Sequence, residues 1–262
     1  MKKILCPMDF SEMSLHGLEY AARVTARVHG MLTLCHVQPS VWPEAVFLED
    51  VVSESENAIL QRLETAAHET LSAFRIPCDF LNTRTTNTVE GSIAGLSGSY
   101  DLIVMATNGT EDFFEYIFGS HSFNVSRLAE CPVLVVPEGC AQQLPEKLVY
   151  LHKERINPET DILIPVWWSQ LLGARFLIWT EPNGQETADR ELVTRITRQV
   201  MGDRTDGLVE EVLVHSDPMP GVEMEGHMFA LPLRQHSSIS RKILRRVVNT
   251  CQNPILIFEI QG

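Results

Sequence analysis

Short apolar runs alternate with longer segments of helical spacing along the first 137 residues. Lys3–Pro7, Met31–Val37, Cys78–Thr83, Asp101–Ala106 and Pro132–Val136 read as strands. Ser11 is the predicted N-cap of a helix reaching about His29, with Leu15, Leu18, Ala21, Ala22 and Val24 on its apolar face. Beyond a loop holding Pro39 and Pro43, Ile59, Leu63, Ala66, Ala67 and Leu71 mark a second helix from about Ser53 to Phe74. Val89–Leu96 predicts a short helix, Thr107 to Gly119 a loop, and Ser120 to Ala129 a further helix. Leu102-Ile103-Val104-Met105 is apolar at every position, as a central parallel strand buried on both faces must be. Strands that alternate with helices imply right-handed crossovers and a doubly wound, Rossmann-like α/β sheet.

The second half repeats this order in worn form. Lys147–Leu151, Arg175–Thr180, Leu208–His215, Met228–Leu233 and Pro254–Ile260 read as strands. Helices are predicted over Pro158–Leu172, with Pro165 disturbing it, over Thr187–Met201 and over Ser238–Cys251. Val125-Ser126-Arg127-Leu128-Ala129-Glu130-Cys131-Pro132-Val133-Leu134-Val135-Val136 lies over Val247-Val248-Asn249-Thr250-Cys251-Gln252-Asn253-Pro254-Ile255-Leu256-Ile257-Phe258, with Pro132 and Pro254 in register. Repetition of the whole element order makes duplication the better account. The expected organisation is therefore two tandem five-stranded domains, 1–138 and 146–262, joined by a linker from Gly139 to Pro145.

Charge and cysteine usage narrow the function classes. The 262-residue chain carries a formal net charge of −13, and residues 1–140 hold 8 Lys+Arg against 18 Asp+Glu. A field of that sign repels nucleic acid and anionic membranes, so neither is an expected partner. Met1-Lys2-Lys3 is followed at once by Pro7 and Asp9, which leaves no apolar core for an export signal, and a cytoplasmic location is expected. The six cysteines show no Cys-x-x-Cys spacing and read as small buried hydrophobes. The nine histidines show no zinc spacing, so no resident metal is expected.

In an open parallel sheet, ligands bind beyond the carboxyl ends of the strands, where strand order reverses. The segments to inspect are Pro7-Met8-Asp9-Phe10-Ser11, His36-Val37 and Met105-Ala106-Thr107-Asn108-Gly109, with Gly119-Ser120-His121-Ser122 at the predicted helix start. A helix N-terminus offers unpaired N–H groups to a phosphate, Gly119 allows close backbone approach, and Ser120 and Ser122 add hydroxyl donors. The plainer reading stands beside it: Ser120 caps a helix, Gly109 serves a turn, Asp9 caps a helix start and Val37 is core.

Together these residues resemble the universal stress protein family over nearly all of residues 1–137. The likeness rests on Ile4-Leu5-Cys6-Pro7-Met8-Asp9-Phe10-Ser11, His36-Val37, Asp101 to Met105, Gly119-Ser120 and Cys131-Pro132-Val133-Leu134-Val135-Val136. The family's nucleotide-binding members carry Gly-x2-Gly-x9-Gly-(Ser/Thr). Gly109, Gly119 and Ser120 match it here, and Ala106 replaces the first glycine. The resemblance implies an adenine nucleotide alpha hydrolase-like fold that binds ATP, ADP or AMP. Asp9 and Val37 would then lie around adenine and ribose, with Pro7 shaping the turn. Met105, Ala106, Asn108 and Gly109 would line the ribose and phosphate approach, and Gly119, Ser120, His121 and Ser122 would hold the phosphates. The segment from Thr107 to Gly119 contains Glu111, Asp112 and Glu115 but no Lys or Arg, so Mg²⁺-dependent binding is expected.

The second domain keeps none of this. Aligning Lys147 with Lys3 sets Lys153 opposite Asp9, and Met228 to Ile239 contains no glycine, so no nucleotide is expected there. Its expected role is to cover an edge. Val133–Val136 and Ile255–Phe258 are apolar terminal strands that can pair within the chain as an intramolecular pseudo-dimer, or between chains as a homodimer. Three readings stay open: a non-catalytic nucleotide-binding stress or signalling protein with an unidentified protein partner, a weak ATPase or phosphotransferase at the same loop, or a structural interaction protein without ligand.

Overall fold

The structure, a computed structural model, describes residues 1–39, 49–85, 87–107, 113–152, 162–180, 209–214, 226–233 and 253–259. In the first half the strands are β1 (Lys3–Pro7), β2 (Met31–Pro39), β3 (Cys78–Thr85), β4 (Leu102–Thr107) and β5 (Val133–Pro137). The helices are α1 (Glu12–Arg27), α2 (Glu49–Phe74), α3 (Val89–Leu96) and α4 (Phe113–Leu128). The second half shows β6 (Lys147–His152), α5 (Leu163–Leu172), β7 (Arg175–Thr180), β8 (Val209–Val214), β9 (His227–Leu233) and β10 (Ile255–Glu259). The helices expected over Thr187–Met201 and Ser238–Cys251 lie outside the described residues, as do residues 158–161 of the helix expected over Pro158–Leu172.

The strands form one continuous ten-stranded sheet in the order β3-β2-β1-β4-β5-β10-β9-β6-β7-β8. Counted inward from either outer edge, each half runs third, second, first, fourth, fifth. Pairing is parallel within each half, and β5 meets β10 antiparallel with Ile255 opposite Val135, Leu256 opposite Leu134 and Ile257 opposite Val133. These six side chains are at most 2% exposed, so each half covers the apolar edge of the other.

Helix α1 starts where the sequence predicts. The Ser14 amide donates to Ser11 Oγ at 3.1 Å, and Leu18, Ala21, Ala22 and Val24 are buried. Leu15 and Leu71, expected on apolar faces, are instead 47% and 44% exposed. The buried face of α1 is completed by Tyr20 and Thr25, and that of α2 by Thr70, so the stripes are rotated from the purely apolar positions. Pro165 does not interrupt α5. That helix begins at Leu163, which places the proline in the first turn, where its missing N–H has no helical acceptor to serve.

Two core layers flank the sheet. One, on the side of α1, α2 and α5, includes Ile4, Leu34, Val104, Leu134 and Leu256; the other, on the side of α3 and α4, includes Leu5, Val37, Met105, Val135 and Ile257. The segment expected to be a plain linker is packed down. Cys140 is 4% exposed, and Gln142 Nε2 donates to His16 Nδ1 at 2.8 Å and to the His16 carbonyl at 3.2 Å. Helix α5 is fastened to the first half by Arg27, whose Nε donates to the Leu172 carbonyl at 2.8 Å, and by Lys2 Nζ, 3.8 Å above the Trp167 ring. Trp167 and Trp168 form an edge-on pair, and Trp168 is 1% exposed, in keeping with packing between the halves.

Candidate functional site

The registers bring three predicted segments to one place. Pro7 pairs with Cys35 of β2, and Leu5 pairs with Ile103 of β4, so β1 lies between β2 and β4 with all three carboxyl ends on one side. From β1 the chain passes to β2 on one flank and, later, to β4 on the other. This is the point of strand-order reversal. Asp9, Val37 and Met105 therefore stand at neighbouring strand ends, as the sequence predicts.

The turn after β1 is tightly specified. The Met8 amide donates to the Cys35 carbonyl at 2.7 Å, and the Met8 carbonyl accepts from His36 Nδ1 at 2.6 Å. Phe10 has φ of 62°, a left-handed conformation unusual for an aromatic residue. Its ring lies 5.2 Å from that of His36, and the Arg62 guanidinium of α2 sits 4.0 Å from its centroid. Asp9 turns back on the helix start: its Oδ1 accepts from the Ser11 amide at 2.9 Å and from Ser11 Oγ at 2.6 Å. Partial burial pushes this carboxyl up, but the hydrogen bonds from the Ser11 side chain and backbone outweigh it and hold it below its ordinary value.

Toward the ends of β2 and β4, Val37 and Met105 are buried at 8% and 9% exposure on the α3 and α4 side. Ala106 faces the other way. A Cβ added at Gly17 of α1 would come 3.0 Å from the Ala106 methyl, so that methyl is packed under α1 and does not crowd the side shared by Val37 and Met105. Gly17 is what allows α1 to approach β4 so closely. Asn108, Gly109, Glu111 and Asp112 lie outside the described residues.

The expected helix start at Gly119-Ser120 is corrected by the structure. Helix α4 begins at Phe113, seven residues before Ser120, so Gly119 and Ser120 lie inside a helix and not at its start. Phe113, Phe114, Ile117 and Phe118 recur at helical spacing in the sequence, upstream of a glycine that a helix interior tolerates at modest cost. The amides of Gly119 and Ser120 are consequently spent in the helical ladder. His121 is exposed, and its Nδ1 donates to Glu90 Oε1 of α3 at 2.5 Å. Ser122 is buried at 3% exposure, with its hydroxyl directed to the Ala106 carbonyl at 3.5 Å. Of the four residues, none opens a helix toward the strand ends.

Arg62 is the site-side residue the sequence reading missed. It lies 52 positions beyond Phe10, and no local motif connects them. Among the described residues no group of three His, Cys, Asp or Glu side chains could hold a metal ion. No helix among them is long and apolar enough to cross a membrane. The described cysteines are free thiols, with Cys6, Cys35 and Cys140 buried and Cys78 and Cys131 partly so.

Comparison with solved structures shows a shared fold. A universal stress protein from Archaeoglobus fulgidus superposes with a TM-score of 0.69 at 18% identity, covering 100% of this chain and 97% of its own. A functionally unknown protein from Pseudomonas aeruginosa gives 0.56 at 14% identity, covering 99% and 93%. The cytoplasmic domain of a prokaryotic cation chloride cotransporter gives 0.57 at 10% identity, covering 98% and 94%. No curated protein matches the chain. The universal stress protein family model matches residues 1–137, more than half of the sequence, and the chain belongs to that family.

Proposed function

We propose that this chain is a non-catalytic adenine-nucleotide-binding protein, its first half taking ATP, ADP or AMP beyond the carboxyl ends of β1, β2 and β4. The observation that carries the reading is the gathering of Asp9, Val37 and Met105 at the strand-order reversal. Val37 and Met105 supply apolar surface for a base, and Asp9 supplies an anionic acceptor suited to base or ribose donors. A carboxyl held below its ordinary range is a weak general base, which favours binding over hydrolysis. Since the described residues offer no metal cluster, a magnesium ion would enter with the phosphates. The second half serves as an internal partner that covers β5, in place of a second subunit.

Titration calorimetry with ATP, ADP and AMP, with and without Mg²⁺, tests this reading. Saturable heat that disappears in Asp9→Ala supports it. Silence at millimolar nucleotide would favour a ligand-free interaction protein, the reading to which the use of Asp9 in bonding the helix cap Ser11 and the early start of helix α4 point. Turnover above background that is lost in Asp9→Ala would instead make it an enzyme.

A further inference from the structure

Asp9 is carried by the turn Met8-Asp9-Phe10-Ser11 between β1 and α1, so its aim depends on how firmly that turn is held. On the β1 side the backbone is anchored twice. The Met8 amide donates to the Cys35 carbonyl at 2.7 Å, and His36 Nδ1 donates to the Met8 carbonyl at 2.6 Å. On the α1 side Ser11 caps the helix, its Oγ accepting from the Ser14 amide at 3.1 Å. Asp9 Oδ1 reaches across to accept from both the amide and the Oγ of Ser11. Phe10 is the one residue between these partners, so the setting of the carboxyl is linked to the conformation of Phe10.

Phe10 has φ of 62°, a region where a Cβ crowds the backbone and glycine is the usual occupant. A bulky residue holds such a conformation only where its surroundings enforce it. Here the enforcing contacts are made by the ring. It lies 5.2 Å from the ring of His36, the residue that also fixes Met8, and its centroid is 4.0 Å from the Arg62 guanidinium of α2. The ring thus fastens the turn to β2 and to α2 at once. It packs against the core layer on the α1 and α2 side, whereas Val37 and Met105 belong to the layer across the sheet. Its contribution to the site is therefore to hold Asp9 and not to touch the base.

We propose that Phe10, clamped between His36 and Arg62, is a positioning residue that presets Asp9 for the ligand at the strand ends. This rests on the adenine-nucleotide reading given above and deepens it. A carboxylate already held in place loses little freedom when a ligand arrives, so more of the contact is realised as affinity. Because Asp9 addresses donors of the base or ribose, the effect is the same whether or not the ligand carries phosphates.

The test joins calorimetry with adenosine and ATP to a carboxyl-carbon NMR titration of Asp9, in the wild-type chain, Phe10→Ala, Phe10→Tyr and Arg62→Gln. Phe10→Ala should weaken both ligands about tenfold, and Phe10→Tyr, which keeps the ring, should stay within about twofold of wild type. Arg62→Gln, an exposed change that leaves the turn sequence intact, should weaken both about threefold. As the Ser11 bonds loosen in Phe10→Ala, the Asp9 titration should rise toward its ordinary 3.8, and in Phe10→Tyr it should stay low. Wild-type affinity in Phe10→Ala, or an unmoved Asp9 titration there, would overturn the assignment while leaving the nucleotide reading intact. A loss for ATP that adenosine does not share would overturn it too. If Phe10→Ala does not fold, Arg62→Gln decides, and affinity and titration equal to wild type would overturn the assignment. Silence of both ligands with the wild type would sink the nucleotide reading and this inference with it.

Discussion

Leu256 of β10 and Leu134 of β5 face one another across the antiparallel seam, each 1% exposed and each part of the same core layer. Truncating Leu256 to Ala removes buried methyl groups from a layer that also holds Val136, Leu148 and Phe258, and leaves a cavity there. Such losses cost about 2–5 kcal/mol. In a chain of this size that should lower the melting midpoint by roughly 5–15 °C. Because the seam joins the halves in one sheet, the loss should appear in a single cooperative transition. Combining Leu256→Ala with Leu134→Ala should give a non-additive total, with a coupling of about 0.5–3 kcal/mol, since the two residues are in direct register. Calorimetry and urea melts followed by circular dichroism measure both quantities. Strictly additive effects, or a melt that splits so that only one half loses stability, would refute the claim that β5 and β10 form one shared core.

Three further outcomes follow from the packing. Gly17→Val should destabilise the chain by about 1–3 kcal/mol in chemical denaturation, because its first side-chain carbon would meet the Ala106 methyl at 3.0 Å and the Ala106 nitrogen at 3.1 Å. Asp101 accepts from Lys2 Nζ at 2.7 Å and from the Lys3 amide at 2.8 Å; partial burial raises its carboxyl, but these partners outweigh that and hold it below the ordinary 3.8. Its contribution is therefore complete above 3.8 and is lost as pH falls through the lower folded value, so Asp101→Asn should lose more stability at pH 7 than at pH 2–3, as pH-dependent melts would show. Burial pushes the Cys35 thiol up to about 12 and the Cys140 thiol up to about 11, so thiol reagents at pH 8 should label these two cysteines slowly in the native chain and fast in the urea-unfolded chain, as mass mapping of the labelled peptides would show.

Much of the first half was legible because its signals are local. Ser11 before an apolar-periodic run marks a helix start, and Leu102 to Met105 can only be an interior strand. The seam could also be anticipated, since two apolar terminal strands without charged gatekeepers require cover. Helix α4 was misjudged for a physical reason. A glycine followed by a serine reads as a helix start, but the helix begins at Phe113, and the helical spacing of Phe113, Phe114, Ile117 and Phe118 in the sequence is the signal passed over. Leu15 and Leu71 show the converse: an apolar residue at helical spacing is not buried when a neighbouring Tyr20 or Thr70 occupies the inward position. Arg62 was invisible in the sequence because its meaning comes from lying above Phe10, a contact made only when α2 packs across the turn after β1.

The measurement that bears most directly on the account is a crystal structure of the chain grown with millimolar ATP and Mg²⁺. The account predicts one nucleotide in the first half, with adenine beside Val37 and Met105 and ribose near Asp9. Strand ends sealed by side chains, or a nucleotide seated away from β1, β2 and β4, would contradict it and leave a duplicated scaffold whose role lies in its surfaces.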